Sequence, residues 1–204
     1  AGTGSFSVAS KRTYRYEMPM LSGAHFYTNS DNDDFFAVST IDSDPVDHDA
    51  HDWGYNLVPE SYLSVSAVIG WGPGSADLSG NGQPAWVIAS QPTTLYVDYD
   101  GNPATGPLTD PAGNKYNVAY ALTSYESKRV FDPDKDQTGM YLYTLDGALI
   151  SVAWGQDPAT ALPGNPYLDL GTTVPPIRKI FGWKDYVHST DLNGNGLVDP
   201  GDVV

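Results

Sequence analysis

Glycine or proline interrupts this chain at close intervals along its length, 21 and 16 residues of 204. Glycine ends helices through its backbone entropy and proline through its missing N–H, so a helical bundle is excluded. Between the interruptions lie short apolar or alternating runs: Ser5 to Ser10, Thr13 to Glu17, Phe35 to Ile41, Tyr62 to Ile69, Ala85 to Ser90 and Thr94 to Asp98. The series continues with Tyr116 to Leu122, Met140 to Leu145, Ala148 to Trp154 and Ile180 to Val187. Tyr116, Val118, Tyr120 and Leu122 fall at period two, the pattern of a half-buried strand. Met140 to Leu145, the turn Asp146-Gly147 and Ala148 to Trp154 spell a β-hairpin whose turn needs positive φ. Residues Pro158 to Pro176 read as a Gly/Pro-rich connection. The expected fold is all-β, an antiparallel β-sandwich or two packed sheets over residues 1–188, with a short C-terminal calcium-loop tail over 189–204. Trp86, Tyr96, Tyr120, Leu142 and Trp154 are expected in its core, because aromatic burial dominates core energetics.

The net charge is −15, and 22 of the 25 acids are Asp, the exceptions being Glu17, Glu60 and Glu126. Such a field repels phosphate backbones and anionic lipid, so nucleic acid is not an expected partner. No apolar run approaches the roughly 20 residues that cross a bilayer as a helix, so membrane insertion is not expected either. Aspartate is short, tolerates turns and bonds its own backbone. A turn-rich chain that prefers it this strongly has either solvated acidic loops or divalent-cation loops. The chain has no Cys; outside the cell a fold without disulfides needs another staple, and calcium is the expected cofactor.

The strongest local pattern runs from Asp191 to Asp202. It places Asp191, Asn193, Asn195, Asp199 and Asp202 at loop positions 1, 3, 5, 9 and 12, with Gly196 at position 6 and the Leu197 carbonyl at position 7. That is the dockerin or EF-hand arrangement, since a hard cation needs six to eight oxygens converging from one short loop. Two features depart from it: Asp replaces the bidentate Glu at position 12, and Pro200 disfavours a flanking helix. A second candidate is Asp132, Asp134 and Asp136 in the loop Phe131 to Gly139, where alternate carboxylates can converge; the alternative is a solvated hairpin end. Asp98-Tyr-Asp100-Gly-Asn102 is weaker, because a lone Asp at a strand end commonly caps the turn. Asp77 to Gly82 reads as a turn. His48 and His51 with Asp47, Asp49 and Asp52 contain ligand types suited to zinc, but lack a third His and read as an exposed acidic loop.

Catalytic patterns are missing. The chain has no Gly-x-Ser-x-Gly elbow, no phosphate-cradling loop, no thiol, and no pair of carboxylates that stands out for glycoside hydrolysis. An enzyme is not expected. Trp53, Trp71 or Trp183 can stack on a sugar if exposed, which keeps a carbohydrate-binding module as an alternative; in a sandwich such residues more often belong to the core.

Several segments together carry a family resemblance: Tyr16 to Gly23, Asp52 to Pro59, Pro84 to Ala89, Thr94 to Gly101, Asp136 to Gly139, Ala153 to Pro158 and Leu168 to Val174. Over roughly residues 14–204 the chain resembles the IgG-Fc-binding-protein-like β module of large repeat-containing bacterial surface proteins. The resemblance implies a secreted or cell-surface adhesin or matrix module, with neighbouring modules or like subunits as partners and glycans as a further class. It implies that the tail leads into a following immunoglobulin-like repeat. It does not carry antibody binding over. A further alternative is a self-assembling filament subunit that donates Gly2 to Ser10, with alternating Phe6 and Val8, to a neighbour's sheet.

The tail gives the first prediction. Calcium should bind Asp191 to Asp202 with a dissociation constant of about 10⁻⁴ to 10⁻³ M, the range of extracellular modules. Asp191→Ala should abolish the corresponding heat in titration calorimetry and expose the chain near residue 190 to protease even with calcium present.

Overall fold

The computed structural model describes residues 3–19, 22–30, 33–41, 53–72, 83–155 and 171–177. The 191–202 loop, the stretch from Asp42 to Asp52 with His48 and His51, Asp77 to Gly82, Trp183, the run Ile180 to Val187 and the proposed boundary at 188/189 lie outside the described residues.

Within them the protein is all-β. Two four-stranded antiparallel sheets form a sandwich. The first holds β3 (Ser66–Val68), β10 (Tyr141–Tyr143), β5 (Thr93–Asp98) and β8 (Val118–Leu122) in that order. The second holds β12 (Gly171–Val174), β11 (Ile150–Gly155), β4 (Ala85–Ala89) and β9 (Lys128–Val130). Two ribbons flank them, β1 (Val38–Ile41) with β2 (Trp53–Asn56), and β6 (Leu108–Thr109) with β7 (Lys115–Tyr116). The only helical element among the described residues is a 3-10 turn at Glu60–Tyr62.

Alternation decides which side chains meet between the sheets. Ala85, Val87 and Ala89 on β4 and Ile150, Val152 and Trp154 on β11 face Leu95, Val97, Leu122 and Leu142 of the other sheet, with Met140 and Ile69 closing one end. Leu142 and Trp154 are therefore core, as expected, and Tyr120 packs partly buried against it. Trp86 and Tyr96 point to the outer faces and are half-buried. The parity of their strands puts Val87 and Val97 inside instead.

The expected 140–154 hairpin does not form. β10 pairs with β3 and β5, and β11 with β4 and β12, so the two strands lie in opposite sheets. The turn has the required backbone, with Gly147 at φ +86°. It is used as an arch: Thr144 Oγ1 donates to the Ala148 carbonyl at 2.7 Å, and Asp146 Oδ1 accepts from Thr93 Oγ1 at 2.8 Å. With four other strands available as partners, both sides of β10 and β11 are already hydrogen-bonded.

Three further expectations are corrected. Residues 5–10 and 13–17 are exposed and join no ladder; Phe6 instead stacks on Tyr14 at 4.3 Å. The 158–176 connection contains strand β12, paired to β11 from Val152↔Val174 to Gly155↔Gly171. Strands β2, β6 and β9 form where the sequence has no clear alternating run.

β12 also anchors the β1–β2 ribbon. Thr173 Oγ1 donates to the Asn56 carbonyl at 2.6 Å, and the Trp53 ring lies directly on Gly171. A Cβ on Gly171 would sit 1.7 Å from Trp53 Cε3, which is why glycine occupies that position.

Two stability measurements follow. Trp154→Ala should cost about 3–5 kcal/mol in denaturant unfolding, because it empties a large core volume. Gly171→Ala should cost about 1–3 kcal/mol by overpacking against Trp53. A loss below about 0.5 kcal/mol in either variant would contradict the packing described.

Candidate functional site: the acidic end of the sandwich

β5 ends at Asp98 and pairs across with Tyr141, the first residue of β10. The loop leaving β5 and the loop entering β10 therefore emerge at the same end of the first sheet. They are pressed together where Gly101, at φ +63°, meets Gly139, at φ +91°. A Cβ on Gly101 would lie 2.5 Å from the Gly139 carbonyl oxygen. Only glycine permits both this backbone and this approach.

In the 131–139 loop, Asp132, Asp134 and Asp136 each accept a hydrogen bond from the amide two residues on. The distances are 3.1 Å from Asp134 N, 2.8 Å from Asp136 N and 2.9 Å from Thr138 N, in each case to Oδ1. This run of Asx turns coils the loop and commits one oxygen of each carboxylate to the backbone. Gln137 is fully buried and locks the base: its side-chain Oε1 accepts from Asp132 N at 2.8 Å and its main-chain N–H donates to the Gly72 carbonyl at 2.7 Å. Asp132 is buried too. Burial pushes its carboxyl above the ordinary range, and the charges of Asp134 and Asp136 push it further. No group of three His, Cys, Asp or Glu side chains is assembled for a metal among the described residues. The three carboxylates share one coil and repel, with Asp134 exposed.

In the facing loop, Asp100 does the capping that sequence assigned to Asp98. Its Oδ1 accepts from Asn102 N at 3.2 Å, and its Oδ2 accepts from Thr105 Oγ1 at 2.9 Å. Its pKa is held low first by hydrogen bonding with the Asp98 carboxyl beside it, then by Thr105 and the Asn102 amide. Asp98 is 1 % exposed, and neither of its carboxyl oxygens makes a hydrogen bond of regular geometry. The polar groups that act on it are the Asp100 carboxyl and the amides of Asp100 and Gly101. Burial first, and Asp100 second, push Asp98 up to about 6.

A second buried aspartate shows what a satisfied one looks like in the same sheet. The excursion between β5 and β8 folds back over the outer face and delivers Asp110 to Tyr143. Asp110 Oδ2 accepts from Tyr143 Oη at 2.7 Å and Asn114 Nδ2 at 2.9 Å; Oδ1 accepts from Ala112 N at 2.8 Å and Asn114 N at 2.9 Å. Burial pushes Asp110 up, but these four bonds outweigh it and the group ends below its ordinary value. Tyr143 lies in the expected 140–145 strand run, but nothing in the sequence links it to Asp110. The only available signal was the Asp-Pro-Ala-Gly-Asn turn from Asp110 to Asn114.

Of the candidate sugar platforms, Trp53 is buried against Gly171, while Trp71 is 65 % exposed and meets Trp154 edge-on at 5.9 Å. Comparison with protein-family models, curated proteins and solved structures found no match.

Asp98 fixes the sign of a pH dependence. Its folded value, about 6, lies above an unfolded carboxyl near 3.8, so between them the native state holds more protons. In chelator, this group's contribution should decline as pH rises from about 4 to about 6 and stay low above that. Asp98→Asn should remove that decline. The wild-type-minus-variant difference in unfolding free energy, measured by urea at several pH values, should fall across this window; a flat difference would contradict the assignment.

Proposed function

We propose that this chain is an extracellular, calcium-stabilised structural or adhesive module of a bacterial cell-surface or matrix protein, and not an enzyme. The observation that supports this reading best is the acidic end of the sandwich, where two Asp-rich loops are packed glycine to glycine. Uncompensated, these carboxylates repel; calcium, a hard cation that accepts carboxylate and carbonyl oxygens in flexible geometry, is suited to neutralise them. The chain's Asp-rich composition, its lack of cysteine and the 191–202 loop fit the same reading, as does the resemblance to surface-protein modules. On this reading Asp132, Asp134 and Asp136 form one calcium loop, and Asp191, Asn193, Asn195, Leu197, Asp199 and Asp202 form the joint to a neighbouring module.

A second reading, the filament subunit, draws on residues 3–19. These lie outside the protein's own ladders, with Phe6 and Val8 exposed at 44 and 49 %. The segment contains Lys11, Arg12 and Arg15 in an otherwise strongly acidic chain. A strand that is free of its own sheet is available to a neighbour's edge.

Metal analysis of the purified protein should find bound calcium. Saturating calcium should then raise stability by about 2.7 kcal/mol at a hundredfold excess over the dissociation constant. Equal melting temperatures in calcium and in chelator would contradict the reading. Size-exclusion chromatography should give a monomer in both conditions; concentration-dependent oligomers lost on deleting residues 1–10 would favour the filament.

A further inference from the structure

Asp98 differs from every other acid described at this end. Asp100, Asp132, Asp134 and Asp136 each have an oxygen capped by a backbone amide. Asp98 is the most buried of them, and the amides near it fall short of a hydrogen bond of regular geometry to either carboxyl oxygen. The groups that act on it are burial, the Asp100 carboxyl and two backbone amides, none of them cationic. A buried carboxylate costs several kcal/mol unless something of opposite charge or a hydrogen-bond donor meets it.

The surroundings do not let the pair relax. Thr105 Oγ1 approaches both oxygens of Asp100, at 3.1 and 2.9 Å, and Asn102 N holds one of them, so the Asp100 carboxylate is fixed beside Asp98. The ladder pairing to Tyr141 fixes the Asp98 backbone. The Gly101–Gly139 contact prevents the two loops from separating without losing the seam, and it lines that seam with main-chain oxygens of Gly139 and Asp100. Two carboxylates held together, one of them sealed from water, beside main-chain carbonyls are an all-oxygen donor set. It contains no imidazole or thiolate that would favour zinc.

We infer that Asp98 and Asp100 bind a calcium ion that joins the 98–105 loop to the 131–139 loop. Asp98 reaches the ion from the outer face of its sheet, on the Tyr96 side of β5, and Asp100 from the rim, while carbonyls of the Gly101–Gly139 seam are placed to complete the shell. The ion supplies the positive charge that no side chain provides. It also makes the seam a clasp: with the ion in place, β5 and β10 are tied beyond their last ladder pair. The inference shares the identity of the ion with the proposed function but uses different ligands, so the two can fail separately.

The test uses the full chain. Calcium stoichiometry is measured by native mass spectrometry and calorimetry, with magnesium as control, for wild type, Asp98→Asn, Asp100→Asn and Asp134→Asn. Circular dichroism checks the fold of each. Asp98→Asn should bind one calcium fewer than wild type, and Asp100→Asn should bind that ion at least about tenfold more weakly, whereas Asp134→Asn should keep it. In hydrogen exchange, calcium should protect peptides covering 98–105 and 137–141 in wild type and Asp134→Asn but not in Asp98→Asn. If Asp98→Asn binds as many ions as wild type and its peptides respond equally, the inference falls: the pair then shares a proton, and the calcium reading rests on the other loops. If no variant binds calcium, both fall.

Discussion

The chain changes sheet at nearly every step around its core, and the acidic end of the molecule follows from that. β3, β5, β8 and β10 lie in one sheet and β4, β9, β11 and β12 in the other, so the steps β3 to β4, β4 to β5, β8 to β9, β9 to β10 and β10 to β11 all cross between layers. Arches of this kind leave the ladder to be made by strands distant in sequence. Val97 meets both Val118 and Leu142, and Ala85 meets both Val130 and Trp154. Apolar burial between the layers then holds the arches in place, with Leu95, Leu142, Ile150 and Val87 all sealed from water. One consequence is that loops separated by some thirty residues, 98–105 and 131–139, are delivered to the same end.

At that end the two glycines set the spacing and the aspartates set the charge. Asp110 and Asp98 make the physical point between them. Both are buried; one collects four regular hydrogen bonds and sits below its ordinary pKa, and the other, with none of regular geometry, sits well above it because burial and the Asp100 carboxyl outweigh the nearby amides of Asp100 and Gly101. Burial alone does not decide what an aspartate does. A capped one is architecture, while an uncapped one held beside a second carboxylate calls for a partner from solution. In a protein of net charge −15, a cation is the partner the whole field attracts.

Fold class was legible because it depends on local pattern. Ala85 to Ala89 is an unbroken apolar run and Thr94 to Asp98 alternates, and glycine and proline mark where the strands stop. Pairing was not legible. The Asp146-Gly147 turn has the same sequence whether it closes a hairpin or an arch, and the choice is made by partners such as β3 and β4 far along the chain. The N-terminal runs mislead for a related reason: Phe6 and Val8 alternate like a strand, but alternation specifies a face and not a neighbour. Gly171 was hidden in a Gly/Pro-rich stretch, since its role is to admit Trp53, more than a hundred positions away. The acidic loop 131–139 could be found from Asp132, Asp134 and Asp136. The role of Asp98 could not, because its burial comes from the 99–117 excursion folding back over the sheet, and its lack of a cap comes from Asp100 taking the turn.

The central claim is that the acidic end closes on a cation, and the most direct measurement is a crystal structure of the full chain grown in calcium, with anomalous differences recorded. The account predicts an anomalous peak about 2.3–2.6 Å from the carboxyl oxygens of Asp98 and Asp100. Asp98 and Asp100 in direct carboxyl-to-carboxylate contact, with no peak between the 98–105 and 131–139 loops, would contradict it.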